Sequence, residues 1–369
     1  MTGTATAAAP AGVSLAALLE RLCRREDLTR VEAAALVGEI MEGRATPAQM
    51  AGLAVALRVK GETPDELAGA AEAMRARMQR VRAPVGAVDV CGTGGDGRGT
   101  FNISTGAAFV VAACGVPVAK HGNRAVSSRA GSADVLEALG ALLATAPESA
   151  VATAERLIAD VGLCFLFAPA HHGALRHAAP VRRELGVRTI FNLLGPLANP
   201  ASVRRQLVGV FDARWVEPVA RALGALGAER VLVVHGAGLD EIATEGETEA
   251  AVWEGAGGEG RLERRVLRPD DFGLRAAPVA DLAGGDAAEN ARLLRAALTG
   301  GDARRQGAAG VAAHAALCAN AGAALWVAGR AVSLREGAEH AAAALDAGEA
   351  GAKLEAFVAA TRGAAGAGG

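Results

Sequence analysis

A chain of 369 residues, 51% hydrophobic and 21% charged, is long enough to bury a substantial core and to form two domains, or one large domain with a satellite. Its formal net charge of -2 argues against a protein that coats nucleic acid, and 3% aromatics with no tyrosine leave no platform for stacking bases. Five cysteines, Cys23, Cys91, Cys114, Cys164 and Cys318, show no C-x-x-C spacing and fit a reducing compartment without a disulfide framework.

The N-terminal "MTGTATAAAPAG" lacks a basic n-region, and the apolar stretch behind it is broken by Glu20, Arg21, Arg24 and Arg25, so no signal peptide is expected and a cytoplasmic location follows. Residues 1–12, and the closing "RGAAGAGG" at 362–369, are expected to be disordered. Between them the first eighty residues read as helices. Thr29-x-x-Glu32, Thr46-x-x-Gln49 and Thr63-x-x-Glu66 are capping boxes, each 17 residues after the last, with Pro47 and Pro64 at first helical positions and Gly43 and Gly61 as stops. Leu15, Leu18, Leu19 and Leu22, then Leu36, Val37, Ile40 and Met41, keep a helical period, and the short connections predict a small all-helical domain of antiparallel neighbours.

From about residue 85 short β-branched runs alternate with helices. Strands are predicted at 88–91, 116–119, 188–192 ("RTIFN"), 206–211 and 230–236, and helices near 104–114, 132–143, 149–161 and 214–226. Apolar strands separated by helices predict an α/β domain whose central sheet is mostly parallel, flanked by helices and binding its ligand at the strands' carboxyl ends.

The stretch "VDVCGTGGDGRGTFNIST", 88–105, contains Gly92-x-Gly94-x-x-Gly97, the fingerprint of a dinucleotide site. That site also needs an acidic residue about 20 positions further on. Here the next strand runs instead into Lys120, His121 and Arg124. Successive N–H groups of the glycine loop, with Ser104 and Thr105 opening a helix, suit an anion. A second loop adds Lys120, Asn123, Arg124, Ser127 and Ser128, with Gly131 and Ser132 opening another helix. Two helix N-termini and two fixed cations point to a nucleotide-sized pyrophosphate ester.

In "FAPAHHGALRHAAPVRRELG" the spacing of His171, His172 and His177, without a neighbouring glutamate, does not suit zinc, whereas Arg182 and Arg183 offer forks for a carboxylate. In "VVHGAGLDEIATEG", Asp240 and Glu241 follow a strand and a glycine turn, oxygen donors placed for Mg²⁺ beside a polyphosphate. The C-terminal third reads as helices: "AAENARLLRAALTG", an Ala-rich 306–328 and one opened by Ser333-x-x-Glu336. From Gln306 to Gly329 there is no Asp, Glu, Lys or Arg, but alanine, glycine, His314 and Asn320 mark a buried helix of a soluble protein rather than a membrane span.

Together "LRVKGETPDEL", "GTGGD", "TFNIST", "KHGNRAVSS", "GSADVLEALG", "VRTIFNLLGPLANP" and "GLDE" occur in the order found in the anthranilate phosphoribosyltransferases, which the chain resembles from about residue 13 to 361. The resemblance implies transfer of a phosphoribosyl group from phosphoribosyl pyrophosphate to the amine of anthranilate, in tryptophan biosynthesis. It divides the chain into a helical domain at 13–82, joined by part of 165–190, and an α/β domain at 85–361. It implies a sugar-pyrophosphate site of Gly92, Gly95, Asp96, Thr100, Asn102, Ile103, Ser104, Thr105, Lys120, His121, Gly122, Asn123, Arg124, Ser127, Ser128 and Ser132. Anthranilate would meet Gly92, Asn123, His172 and Arg182, with Lys120, His172 and Arg182 in catalytic roles. Magnesium would be bound by Ser104, Asp240 and Glu241, and the family is typically a homodimer formed through the helical domain. Gly173, Leu175 and Ala130 depart from the residues usual there, proline, methionine and serine.

Three other readings compete. A pyrimidine nucleoside phosphorylase would carry a "KHSTGG" version of the second loop, which here is "KHGNRAVSS". A nucleic-acid-binding relative of the fold would have a basic surface and eroded metal ligands. A dinucleotide oxidoreductase lacks its acidic ribose ligand.

Overall fold

The computed structural model describes residues 14–125, 129–299 and 307–366, and its contacts define two compact units: Met1–Met78 with His172–Ala198, and Gln79–His171 with Asn199–Gly369. Residues 1–12, Ser127 and Ser128 lie outside the described residues. The C-terminal helix runs to Gly366, so the glycines and alanines of 362–366, expected to be disordered, continue a helix instead.

The first unit is helical: α1 (Leu15–Cys23), α2 (Arg30–Met41), α3 (Pro47–Lys60) and α4 (Pro64–Arg77). The three threonine boxes form as the spacing predicts. Each threonine hydroxyl accepts the N–H three residues on, and Glu32, Gln49 and Glu66 return the bond to the cap N–H. Leu18, Leu22, Leu36, Ile40, Leu53, Leu57, Leu67 and Met74 are buried. A polar knot lies among them. The fully buried Glu66 accepts hydrogen bonds from Leu28 N–H (2.8 Å), Thr63 N–H (2.8 Å) and Lys60 Nζ (2.9 Å), and the same ammonium reaches Asp27 at 2.7 Å.

The predicted strand 188–192 is not formed. Its β-branched and aromatic residues favour extension, but the Asn192 side chain accepts the Thr189 N–H (3.0 Å) and its own N–H donates to the Thr189 carbonyl (2.9 Å), closing a short turn of 3-10 helix at Ile190–Asn192.

The second unit carries a seven-stranded sheet: β1 (Val88–Gly92), β2 (Val118–Gly122), β3 (Leu163–Phe167), β4 (Arg205–Gly209), β5 (Arg230–Gly236), β6 (Thr248–Ala256) and β7 (Glu259–Leu267), in the order β3-β2-β1-β4-β5-β6-β7. The first five strands run parallel, and β6 and β7 add an antiparallel extension. The order reverses at β1: the chain goes outward through β2 and β3, then returns to the other side as β4 and β5. That reversal opens a crevice at the carboxyl ends of β1 and β4, where sheets of this kind take their ligands.

Helices α5 (Ile103–Ala113), α6 (Ser132–Ala138), α7 (Pro147–Asp160), α8 (Val216–Ala225), α9 (Ala287–Leu298), α10 (Ala308–Ala328), α11 (Leu334–Asp346) and α12 (Glu349–Gly366) flank the sheet. α5 is apolar all round and buried, packing on α10 and α12. α10 is long and apolar enough to cross a membrane, but every residue from Ala315 to Val327 is buried inside the fold, as a core helix requires.

Candidate active site

Register places the glycine loop and the second basic loop side by side. β1 lies between β2 and β4, pairing Val88 with Val118 on one side and Gly92 with Gly209 on the other. Beyond Val88, side chains bridge β1 to β2. Asp89 Oδ1 accepts the His121 N–H at 3.1 Å, and Lys120 Nζ donates to the Val90 carbonyl at 2.6 Å. Asn199 closes the base of this bridge, donating to Asp89 Oδ2 (2.7 Å) and to the Ala119 carbonyl (2.9 Å).

On the β4 side the backbone needs glycine for close approach. A Cβ on Gly209 would sit 1.5 Å from the Asp240 carbonyl oxygen, and one on Gly92 would sit 2.3 Å from Asp240 Oδ2. The glycine loop then turns through Gly94, Gly95 and Gly97, all at positive φ, with Thr93 N–H on the Gly209 carbonyl (2.9 Å) and Gly94 N–H on Asp240 Oδ2 (2.7 Å). Asp96 lies close enough to Asp240 to hydrogen-bond with it and to oppose its charge. The next residue, Glu241, accepts the Ser104 N–H at 3.0 Å in the first turn of α5, while Lys120 Nζ reaches Ser104 Oγ at 3.3 Å.

Three strand ends therefore converge, with Gly94, Ser104, Lys120, Asp240 and Glu241 in one hydrogen-bonded cluster and Asp96 beside it. Its electrostatics ask for a cation. Lost hydration and the neighbouring Asp96 push the Asp240 carboxyl above the usual range, and lost hydration and Asp240 do the same to Glu241, against the opposing pull of Lys120. The donors are hard oxygens, as Mg²⁺ prefers. Among the described residues no set of three His, Cys, Asp or Glu closes around an ion by itself. A site of one or two carboxylates completed by water and phosphate oxygens is the usual arrangement for this ion.

The other predicted phosphate-site residues are placed less uniformly. Thr100 bridges to Ala283, and Asn102 holds the position before α5, although its side chain makes no cap bond. Ile103 and Thr105 are buried in the first turn of α5, and His121 is buried in β2. Gly122 lies at the end of β2, with the Ser132 hydroxyl 2.4 Å from where its Cβ would be, and Ser132 Oγ donates to the Asn123 carbonyl at 3.3 Å. Arg124 is engaged by α6, the helix that follows its loop. Its guanidinium forks onto Glu137 (2.5 and 2.7 Å), touches Asp134 (3.1 Å) and lies 5.4 Å from the centre of the Phe167 ring.

His172 and Arg182 belong to the helical unit. Arg182 is on a seven-residue helix, Ala179–Leu185, with its guanidinium 5.7 Å from the centre of the Phe191 ring; His172 precedes a turn of 3-10 helix at Gly173–His177. Gly95 lies within the glycine turn, and Asn123 is exposed at the tip of β2. Asp89 and Asn199 escaped the motif reading. The signal for the first was a lone carboxylate inside an otherwise apolar strand, which needs partners wherever it is buried.

The chain thus joins a helical bundle unit to a unit built on a mostly parallel sheet, with the Asp240 and Glu241 carboxylates at its switch point. Residues 85–351 match the family described as "Glycosyl transferase family, a/b domain", and residues 16–78 match its helical bundle domain. The chain is 52% identical over 347 residues to the anthranilate phosphoribosyltransferase of Azorhizobium caulinodans, covering 94% of this chain and 96% of that protein. Its fold superposes on the anthranilate phosphoribosyltransferase of Thermus thermophilus with a TM-score of 0.84 at 44% identity (94% of this chain, 99% of that one). For the Saccharomyces cerevisiae enzyme in complex with phosphoribosyl pyrophosphate and Mg the TM-score is 0.82 at 26% identity (95% and 98%). The chain belongs to the glycosyl transferase family and, within it, to the anthranilate phosphoribosyltransferases of tryptophan biosynthesis.

Proposed function

We propose that the protein transfers the 5-phosphoribosyl group of phosphoribosyl pyrophosphate to the amine of anthranilate, releasing pyrophosphate, and that it uses Mg²⁺ to do so. The observation that supports this most is the hydrogen-bonded cluster of Gly94, Ser104, Lys120, Asp240 and Glu241 at the switch point. Ser104, Asp240 and Glu241 are assigned to hold Mg²⁺, which supplies Lewis-acid neutralisation of the pyrophosphate charge.

The anthranilate amine is neutral and needs no strong base, so the main task is to let pyrophosphate leave C1 of the ribose. The Lys120 ammonium and the N-terminal dipole of α5 are assigned to stabilise that growing charge, a differential stabilisation that would lower the barrier. Gly92, Gly95, Asp96, Thr100, Asn102, Asn123, Arg124 and Ser132 are assigned to bind the sugar phosphate. In the helical unit, Arg182 is assigned to orient the anthranilate carboxylate and His172 to hydrogen-bond near the amine. A homodimer in the cytoplasm is part of the proposal and is supported by the family resemblance.

The test mixes protein, Mg²⁺, phosphoribosyl pyrophosphate and anthranilate and follows the fluorescence of anthranilate. Decay that requires all components is expected. Phosphorolysis of thymidine or uridine with no such decay would instead favour the nucleoside phosphorylase reading. Sedimentation velocity at micromolar protein tests the dimer.

A further inference from the structure

Asn290 lies in the first turns of α9, nearly two hundred residues from the glycine loop, yet it fixes the side chain with which that loop ends. It is buried, with both ends of its amide engaged. Its Oδ1 accepts the Gly285 N–H at 2.7 Å, and its Nδ2 donates to Asn102 Oδ1 at 3.0 Å. A backbone N–H can only donate, so the Gly285 bond determines which way the Asn290 amide faces. Asn290 must then present its NH₂ to Asn102, and Asn102 must answer with its oxygen. The Asn102 NH₂ is thereby turned to the other side, where it donates to the Ala130 carbonyl of the second loop at 3.3 Å.

The same stretch of chain also seats the loop's backbone. Gly284 N–H donates to the Gly99 carbonyl at 2.8 Å, and Phe101 N–H donates to the Leu282 carbonyl at 3.0 Å. A relay of Gly285, Asn290, Asn102 and Ala130 thus joins α9 to both anion loops. Asn102 stands where an asparagine usually caps its helix, but its side chain makes no cap bond and is spent on this relay.

We propose that Asn290 is a positioning residue for the sugar-pyrophosphate site: it holds Asn102 so that its amide donor, and not its oxygen, faces the second loop and the anion bound beside it. The proposal rests on the reading that Asn102 contacts phosphoribosyl pyrophosphate. An Asn102 turned the other way would present an acceptor to an anionic ligand and lose a charge-assisted hydrogen bond.

The test is a double-mutant cycle on the full-length protein with Mg²⁺ present. Asn290→Asp keeps the shape and the acceptor for Gly285 N–H but sets an oxygen against Asn102 Oδ1, forcing that amide over. The KM for phosphoribosyl pyrophosphate is expected to rise about tenfold, the weight of one hydrogen bond to a charged group, with the KM for anthranilate unchanged. Asn102→Ala should show the same split, and the double variant should be no worse than Asn102→Ala alone. Should Asn290→Asp fail to fold, Asn290→Ser, which leaves Asn102 unheld without adding a charge, carries the same expectations. If Asn102→Ala raises KM while the position-290 variants do not, or if the effects multiply, the proposal is overturned and the site reading stands. A wild-type KM in Asn102→Ala sinks both.

Discussion

Gly94 donates its N–H to Asp240 Oδ2 across 2.7 Å, so the glycine loop and the carboxylate turn, 146 residues apart in sequence, form one structural piece. Asp240→Asn keeps an oxygen for that bond and removes the negative charge. Turnover is therefore expected to fall at least about tenfold, within the range for losing one transition-state contact. The fold should persist, and the Mg²⁺ concentration needed for half-maximal rate should rise. A magnesium titration of initial rates, with circular dichroism as the control, checks both.

Lys120 is tied to the Val90 carbonyl and to Ser104 Oγ rather than extended into solvent. Its charge is held at the crevice without the entropy loss of ordering a free side chain when substrate arrives. Lys120→Ala is expected to lower kcat at least about tenfold. Wild-type turnover in that variant would remove the lysine from the mechanism.

In the helical unit Glu66 is the common acceptor for Leu28, Thr63 and Lys60. Glu66→Ala would leave two backbone donors unanswered and deprive a buried ammonium of its buried partner, at a cost of about 3 to 5 kcal/mol. Urea denaturation should show a lower midpoint. A midpoint unchanged from wild type would mean that water replaces the carboxylate without penalty.

His171 supplies a pH dependence whose sign is fixed. Its buried ring donates Nδ1–H to the Gln79 carbonyl (3.1 Å), and among the described residues its Nε2 finds no hydrogen-bond partner. Lost hydration, only partly offset by the Gln79 bond, holds its pKa below the ordinary 6.5. The unfolded chain therefore takes up the proton first as pH falls. The contribution to stability is complete above 6.5 and is lost below it, by at most about 1.4 kcal/mol per pH unit. Urea midpoints at pH 7.5 and 5.5 should differ less in His171→Gln than in wild type; equal differences would show that the histidine titrates normally.

What the sequence disclosed followed the range of the interactions involved. The threonine caps, the glycine turn and the run of 230–236 are local, and each appears where its pattern placed it. The five-residue apolar run of β3 carries no period that separates a strand from a buried helix, and it went unread. β7 hid for the opposite reason. Its "EGRLERRVL" looks like a solvated loop until Arg264 meets Glu249 at 3.7 Å across the strands and Arg268, just past β7, meets Glu247, just before β6. The carboxylates of Asp240 and Glu241 stand out in the sequence as oxygen donors, but nothing in the letters showed that one would bond the glycine loop and the other the first turn of α5.

The reversal of strand order at β1 has a consequence for biosynthesis. During translation the ribosome releases the glycine loop and the second basic loop, then the 172–198 excursion that completes the helical unit, and only afterwards the segment bearing β4 and the paired acids. Until then β1 stands as an open margin of an unfinished sheet, with its neighbour at 205–209 not yet made. A nascent chain arrested before that point would present one unpaired strand edge to any other unfinished copy nearby.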